Sequence, residues 1–125
     1  MRKILWLFLV LFVTGVSNIY GQQTEIYIHN SSDFDSALLL FKDKQYQSAQ
    51  IIFDQVQQQN ISIDVNSDCA YYVGICAIHL NQNNADELIE RFIKEFPTSS
   101  KHNSAYIEVA QYYFEQGKYP QSLEF

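Results

Sequence analysis

A small residue returns at a fixed place along this chain: Ala37, Gly74 and Ala110 each sit inside an apolar stripe of helical period, spaced 37 and then 36 residues apart. Two helices approach closely only where the side chain between them is small, so the spacing marks three equivalent helix crossings. Nine residues after Ala37 comes Tyr46 and twelve after it Ala49; nine after Ala110 comes Tyr119 and twelve after it Ser122. An aromatic-x-x-small segment therefore opens a second helix in both places. A period of this length holds one helical hairpin, which cannot bury its apolar face alone and must stack on its neighbours.

The stripes between these landmarks fill in the hairpins. Ala37, Leu38, Leu40 and Phe41 fall at helical spacing, Lys42 to Gln45 is a polar break, and Ala49, Ile52, Phe53 and Val56 form the next stripe. A loop this short requires antiparallel packing. Gln57 to Asn60 closes the pair, and the β-branched stretch Ile61 to Asn66 reads as a non-helical connector. Asn66 or Ser67 is placed to cap a third helix running to about Leu80. Asn84 with Glu87 resembles a capping box, the stripe Leu88, Ile89, Phe92, Ile93, Phe96 follows, and Pro97 ends it. Ser99 or Ser100 is expected to cap a fifth helix bearing Tyr106, Val109, Ala110, Tyr113 and Phe114. Gly117 supplies its left-handed stop, and Tyr119-Pro120 starts a sixth. Leu123-Glu124-Phe125 lies mid-stripe, so the third hairpin is expected to lack most of its second helix.

These residues resemble the tetratricopeptide repeat, whose first helix reads aromatic-x-x-Leu-Gly-x-x-Tyr. Tyr106, Val109, Ala110 and Tyr113 occupy those four places in the third repeat; Ala37, Leu40, Tyr46, Ala49, Phe53 and Val56 match in the first, and Val73, Gly74, Ala77, Phe92 and Pro97 in the second. Asp33 and Ala70 stand where the aromatic belongs, and the second turn is about one residue short. The resemblance implies an all-α fold of antiparallel helix hairpins stacked as a TPR-like α-solenoid, about two and a half repeats over 33–125 (33–60, 67–97 and an incomplete 100–125). A narrower likeness rests on Phe92-Ile93-Lys94-Glu95-Phe96-Pro97-Thr98-Ser99-Ser100, Ala105-Tyr106 and Gln116-Gly117-Lys118-Tyr119. It is similar to the helix joints of envelope TPR proteins in double-membraned bacteria, outer-membrane assembly lipoproteins among them.

The N-terminal residues carry a different message. Arg2 and Lys3 precede the apolar run Ile4 to Val13, and a more polar stretch ends at Gly21, the order of a secretory signal peptide over 1–21 with cleavage before Gln22. The apolar run is too short to span a bilayer, which takes roughly 20 apolar residues; no transmembrane span is expected in the mature chain. The only cysteines, Cys69 and Cys76, lie far from that cleavage point, so no lipid-bearing cysteine can form there. Export, taken with the likeness to envelope TPR proteins, implies a periplasmic or outer-membrane-associated location. Residues 22–32, where Thr24 to His29 alternate briefly, read as an extended lead-in with no second strand to pair with.

Without Arg2 and Lys3 the chain holds six basic against 14 acidic residues, which argues against nucleic acid or an anionic membrane as partner. Cys69 and Cys76, seven residues apart on one helix, are separated by about 10.5 Å at about 1.5 Å per residue, beyond the roughly 7 Å a disulfide spans; they read as small interface residues. His29, His79 and His102 share no ligand spacing. With no nucleophile elbow, phosphate loop, metal cluster or carboxylate pair, no catalysis, cofactor or metal is expected. Asn30 and Asn60 head glycosylation sequons, relevant only in a eukaryotic exporter.

The resemblance implies a protein or peptide partner, held in a concave groove lined by Phe34, Leu38, Phe41, Tyr71, Ile75, Ile78, Ile107, Gln111 and Phe114. An apolar or amphipathic segment of an outer-membrane or other envelope protein suits such a surface. The same residues equally suit packing between repeats. The alternative is a helical support for an exported enzyme or glycan-binding protein whose active part lies beyond residue 125.

Overall fold

A computed structural model describes residues 19–125, with side chains from 31 onward. Most of the signal-peptide segment, residues 1–18, lies outside the described residues. The chain divides into two units, residues 1–32 and 33–125. Six α-helices and no strand occur among the described residues: α1 (Ile19–Lys42), α2 (Tyr46–Gln58), α3 (Ile63–His79), α4 (Ala85–Glu95), α5 (His102–Glu115) and α6 (Tyr119–Glu124). Over residues 33–125 the helices form a TPR-like stack of hairpins, as the spacing of the small residues predicts.

One turn geometry recurs at the repeat period. Lys44, Asn81 and Gly117 all adopt positive φ, at 60°, 51° and 70°, and each lies seven residues after Ala37, Gly74 and Ala110. Behind each, the next residue's N–H reaches back five positions, from Gln45 to the Leu40 carbonyl (2.9 Å), from Gln82 to Ala77 (3.0 Å) and from Lys118 to Tyr113 (2.8 Å). These are Schellman closures, which satisfy the last carbonyls of α1, α3 and α5. Gly117 is legible as such a stop because glycine enters the left-handed region cheaply. Lys44 and Asn81 do the same work with a Cβ.

Four expectations at helix starts are corrected. Residues 22–32 are helical rather than extended, as the first part of α1: the alternation from Thr24 finds no partner strand among the described residues, while Gln22, Gln23 and Glu25 favour helix and a helix satisfies its backbone locally. The connector from Ile61 is helical from Ile63, because Ser62 is the cap, its Oγ accepting from the Val65 N–H at 3.2 Å. Burial of Val65 against the first core cluster outweighs the weak propensity of β-branched residues there. Asn84 stands at the N-cap of α4 but its side chain makes no cap bond; Glu87 instead pairs with Arg91 at 2.9 Å. At α5 the N-cap is Lys101, whose N–H donates to Ser99 Oγ at 3.2 Å.

The core falls into two clusters that share α3. Ala37, Ala49, Phe53, Val56, Cys69, Val73 and Cys76 pack α1 and α2 against one side of that helix. Tyr71, Ile75, Ile78, Ile89, Phe92, Val109 and Tyr113 pack α4 and α5 against the other. An α-helix apolar around its whole circumference belongs at the centre of a stack, and α3 is that helix. By contrast α4 buries only Ala85, Ile89 and Phe92, one stripe at i, i+4 and i+7. Both cysteines are free and buried, and burial pushes each thiol up to about 12, far from the thiolate that redox or metal chemistry needs.

Candidate interaction surface

The nine residues expected to line a groove separate by helix. On α1, Phe34, Leu38 and Phe41 are half-buried against the first cluster. Phe34 meets Phe53 edge-on with centroids 5.5 Å apart, and Phe41 meets Tyr46 and Tyr72 at 5.5 and 5.1 Å. On α3, Tyr71, Ile75 and Ile78 are buried inside the second cluster. Their positions are filled by packing between hairpins. On α5, Ile107, Gln111 and Phe114 are exposed, with Ile107 67% and Phe114 62% accessible.

Those three α5 residues sit at i, i+4 and i+7, on one helix face. The turn into α6 extends the apolar surface: Phe114 packs edge-on against Tyr119 at 5.4 Å, and Tyr119 is itself 57% exposed. α6 is held to α5 by Ser122 Oγ, which donates to the Ala110 carbonyl at 2.8 Å. The Ser122 hydroxyl thus reaches the small residue that the repeat pattern pairs it with.

Polar contacts that the periodicity does not reveal fix one hairpin to the next. Gln50 of α2 and Gln82 of the α3–α4 turn exchange amide hydrogen bonds of 3.0 and 2.8 Å, and Gln50 Nε2 also donates to the Val73 carbonyl at 3.2 Å. Tyr71 donates to the Glu108 carboxylate on α5, and Tyr113 donates to Asp86 Oδ1 on α4 at 2.5 Å. Lys118 Nζ donates to Asn81 Oδ1 at 3.1 Å, joining successive Schellman turns. His79 stacks on Tyr46 at 4.2 Å and meets Tyr112 edge-on at 4.8 Å. Burial holds its imidazole below the usual histidine range, with Glu108 opposing and Lys44 assisting, so it serves the stack as a neutral aromatic.

Among the described residues no group of three or more His, Cys, Asp or Glu side chains could hold a metal ion, and no helix is long and apolar enough to cross a membrane. Residues 68–99 match the family model of the tetratricopeptide repeat. That stretch runs from the first turns of α3 through α4 to the loop after Pro97. No curated protein matches the chain, and no solved structure does. The fold and the match together define a protein with TPR-like helical repeats, a class whose repeats generally mediate protein–protein interaction.

Proposed function

We propose that this chain is a non-catalytic protein–protein interaction scaffold of the cell envelope, which binds an apolar or amphipathic segment of another protein. The observation that carries the reading is the exposed α5 face: Ile107 and Phe114 lie two turns apart with Tyr119 beside Phe114, all more than half accessible. Helix-in-groove recognition uses anchors of this kind at i, i+4 and i+7. Gln111 between them offers a polar contact that sets register.

A photo-crosslinking residue at position 111, exposed between the two apolar anchors, is expected to capture a discrete partner in cells. The Ile107→Ser/Phe114→Ser double variant should abolish capture while leaving the unfolding midpoint unchanged, because neither side chain is part of the core. Undiminished capture by that variant refutes the α5 face as the binding surface.

The envelope location draws its support from the basic, apolar and small-residue order of residues 1–21 and from the likeness of residues 92–119 to envelope TPR joints. Export with processing leaves Gln22 as the first residue. N-terminal sequencing of the cellular protein tests this directly, and a chain that still begins at Met1 overturns it.

A further inference from the structure

The exposed face of α5 has an electrostatic edge as well as apolar anchors. Glu108 follows Ile107 and Glu115 follows Phe114, so both carboxylates lie about 100° round the helix on the same flank of the stripe, about 10.5 Å apart along its axis. Glu115 is exposed and accepts from Gln111 Nε2 at 2.8 Å, which holds its carboxylate beside the stripe. Glu108, half-buried on the same flank, accepts from Tyr71. On α6 the exposed Tyr119 and Leu123 prolong the apolar surface, and the exposed Glu124 follows them. None of the three glutamates forms an ion pair among the described residues. The two lysines nearest in sequence are engaged elsewhere: Lys101 Nζ lies over the rings of Tyr71 and Tyr72, and Lys118 Nζ bonds to Asn81 and lies over the Tyr113 ring.

This charge pattern decides between occupants of the face. A second copy pairs isologously, each surface meeting itself about a two-fold axis. With the two α5 helices antiparallel, the same flank of each falls on the same side, so Glu108 and Glu115 of both copies line one edge of the interface. With the helices parallel, each acidic flank meets the other copy's α6, which is attached on the opposite flank at Ala110 and carries Glu124. Like-charge juxtaposition disfavours both arrangements. A helix with two basic residues seven positions apart along one flank of an apolar stripe presents the opposite charge at the same spacing. Its apolar residues meet Ile107, Phe114 and Tyr119, and its charges set register and speed encounter more than they add affinity.

We infer that the α5 face takes a cationic amphipathic helix, with two lysine or arginine residues seven positions apart along one flank of its apolar stripe. This rests on the reading of that face as the binding surface and names the chemistry of its partner. The test is fluorescence anisotropy of the full chain with two labelled alanine-based peptides of about 18 residues, long enough to hold a helix. They share one leucine stripe and carry either lysines or glutamates at two flank positions seven apart. In low salt the lysine peptide should bind about tenfold more tightly than the glutamate peptide, and about 1 M salt should remove most of that preference. Glu115→Lys should reduce the preference by about threefold or more with an unchanged unfolding midpoint, because Glu115 is exposed. Equal binding of the two peptides overturns the cationic partner, and so does binding of neither. A preference that survives in the Ile107→Ser/Phe114→Ser variant overturns the placement on α5. A dimer of the full chain that the same variant dissociates makes a second copy the occupant and overturns the inference as well. Failure to capture a partner from position 111 is a separate result, which counts against the face itself rather than against the charge of what it binds.

Discussion

Replacing Gly74 by leucine is expected to abolish cooperative folding of the hairpin stack, the largest effect of any single substitution in this chain. A Cβ built at Gly74 comes within 2.6 Å of Ile89 Cδ1 and 3.2 Å of its Cγ1. Ile89 is fully buried among Ile75, Phe92 and Val109, so its side chain has to shift inside the core to admit that atom. For alanine the two effects nearly oppose: helix propensity favours it by about 1 kcal/mol, while overpacking costs about 1–3 kcal/mol, for a net loss of up to about 2 kcal/mol. Leucine adds four side-chain atoms to the crossing and forces α4 away from α3. A thermal melt followed by circular dichroism reads both. In an Ile89→Val background, which removes Cδ1, Gly74→Ala should turn neutral or stabilising, a coupling within the roughly 0.5–3 kcal/mol of contacting pairs. A stabilising Gly74→Ala with Ile89 intact would show that close approach is not why glycine stands there.

The same position shows what could be read from residue types. Ala37, Gly74 and Ala110 mark helix crossings because a missing side chain leaves a periodic trace in the sequence, and Pro97 and Gly117 mark ends because each constrains its own backbone. Ser62 escaped notice because Ile61 to Asn66 carries no apolar period, and a cap bond depends on one hydroxyl meeting one N–H. Lys44 hides its positive φ for a similar reason: the Schellman bonds, not the side chain, select it. The groove was legible only as a set of alternatives. Phe34, Tyr71 and Ile107 are equivalent in the repeat, yet they end half-buried, buried and exposed. What separates them is how many hairpins lie on either side, a property of the stack that no single repeat encodes. The pairings Gln50–Gln82 and Tyr71–Glu108 are set by the same stacking and leave no pattern in a chain of many glutamines and tyrosines.

That dependence on neighbours makes Phe53 the second decisive position. Its ring is fully buried, stacked on Tyr72 with centroids 4.7 Å apart and planes 11° from parallel, and met edge-on by Phe34. Phe53→Ala removes both ring contacts and leaves a cavity that the α-helical backbone cannot close, for an expected loss of about 3–5 kcal/mol. A stack of repeats is stabilised by its hairpins and by the interfaces between neighbours, so the damage should not spread evenly. Hydrogen exchange in the variant is expected to lose protection first along α2 and at Ala37 to Phe41. The amides near Ile89, Phe92 and Val109 belong to the second cluster and should retain theirs longest. Tyr72, Phe41 and Leu88 touch both clusters and set how far the loss travels through α3. Phe114→Ala is the control: it removes the same ring from an exposed site and should change stability by no more than about 0.5 kcal/mol. If Phe53→Ala proves as mild as that control, the first hairpin is not held to α3 through its aromatic cluster. Uniform loss of protection would instead show that the two clusters unfold as one unit.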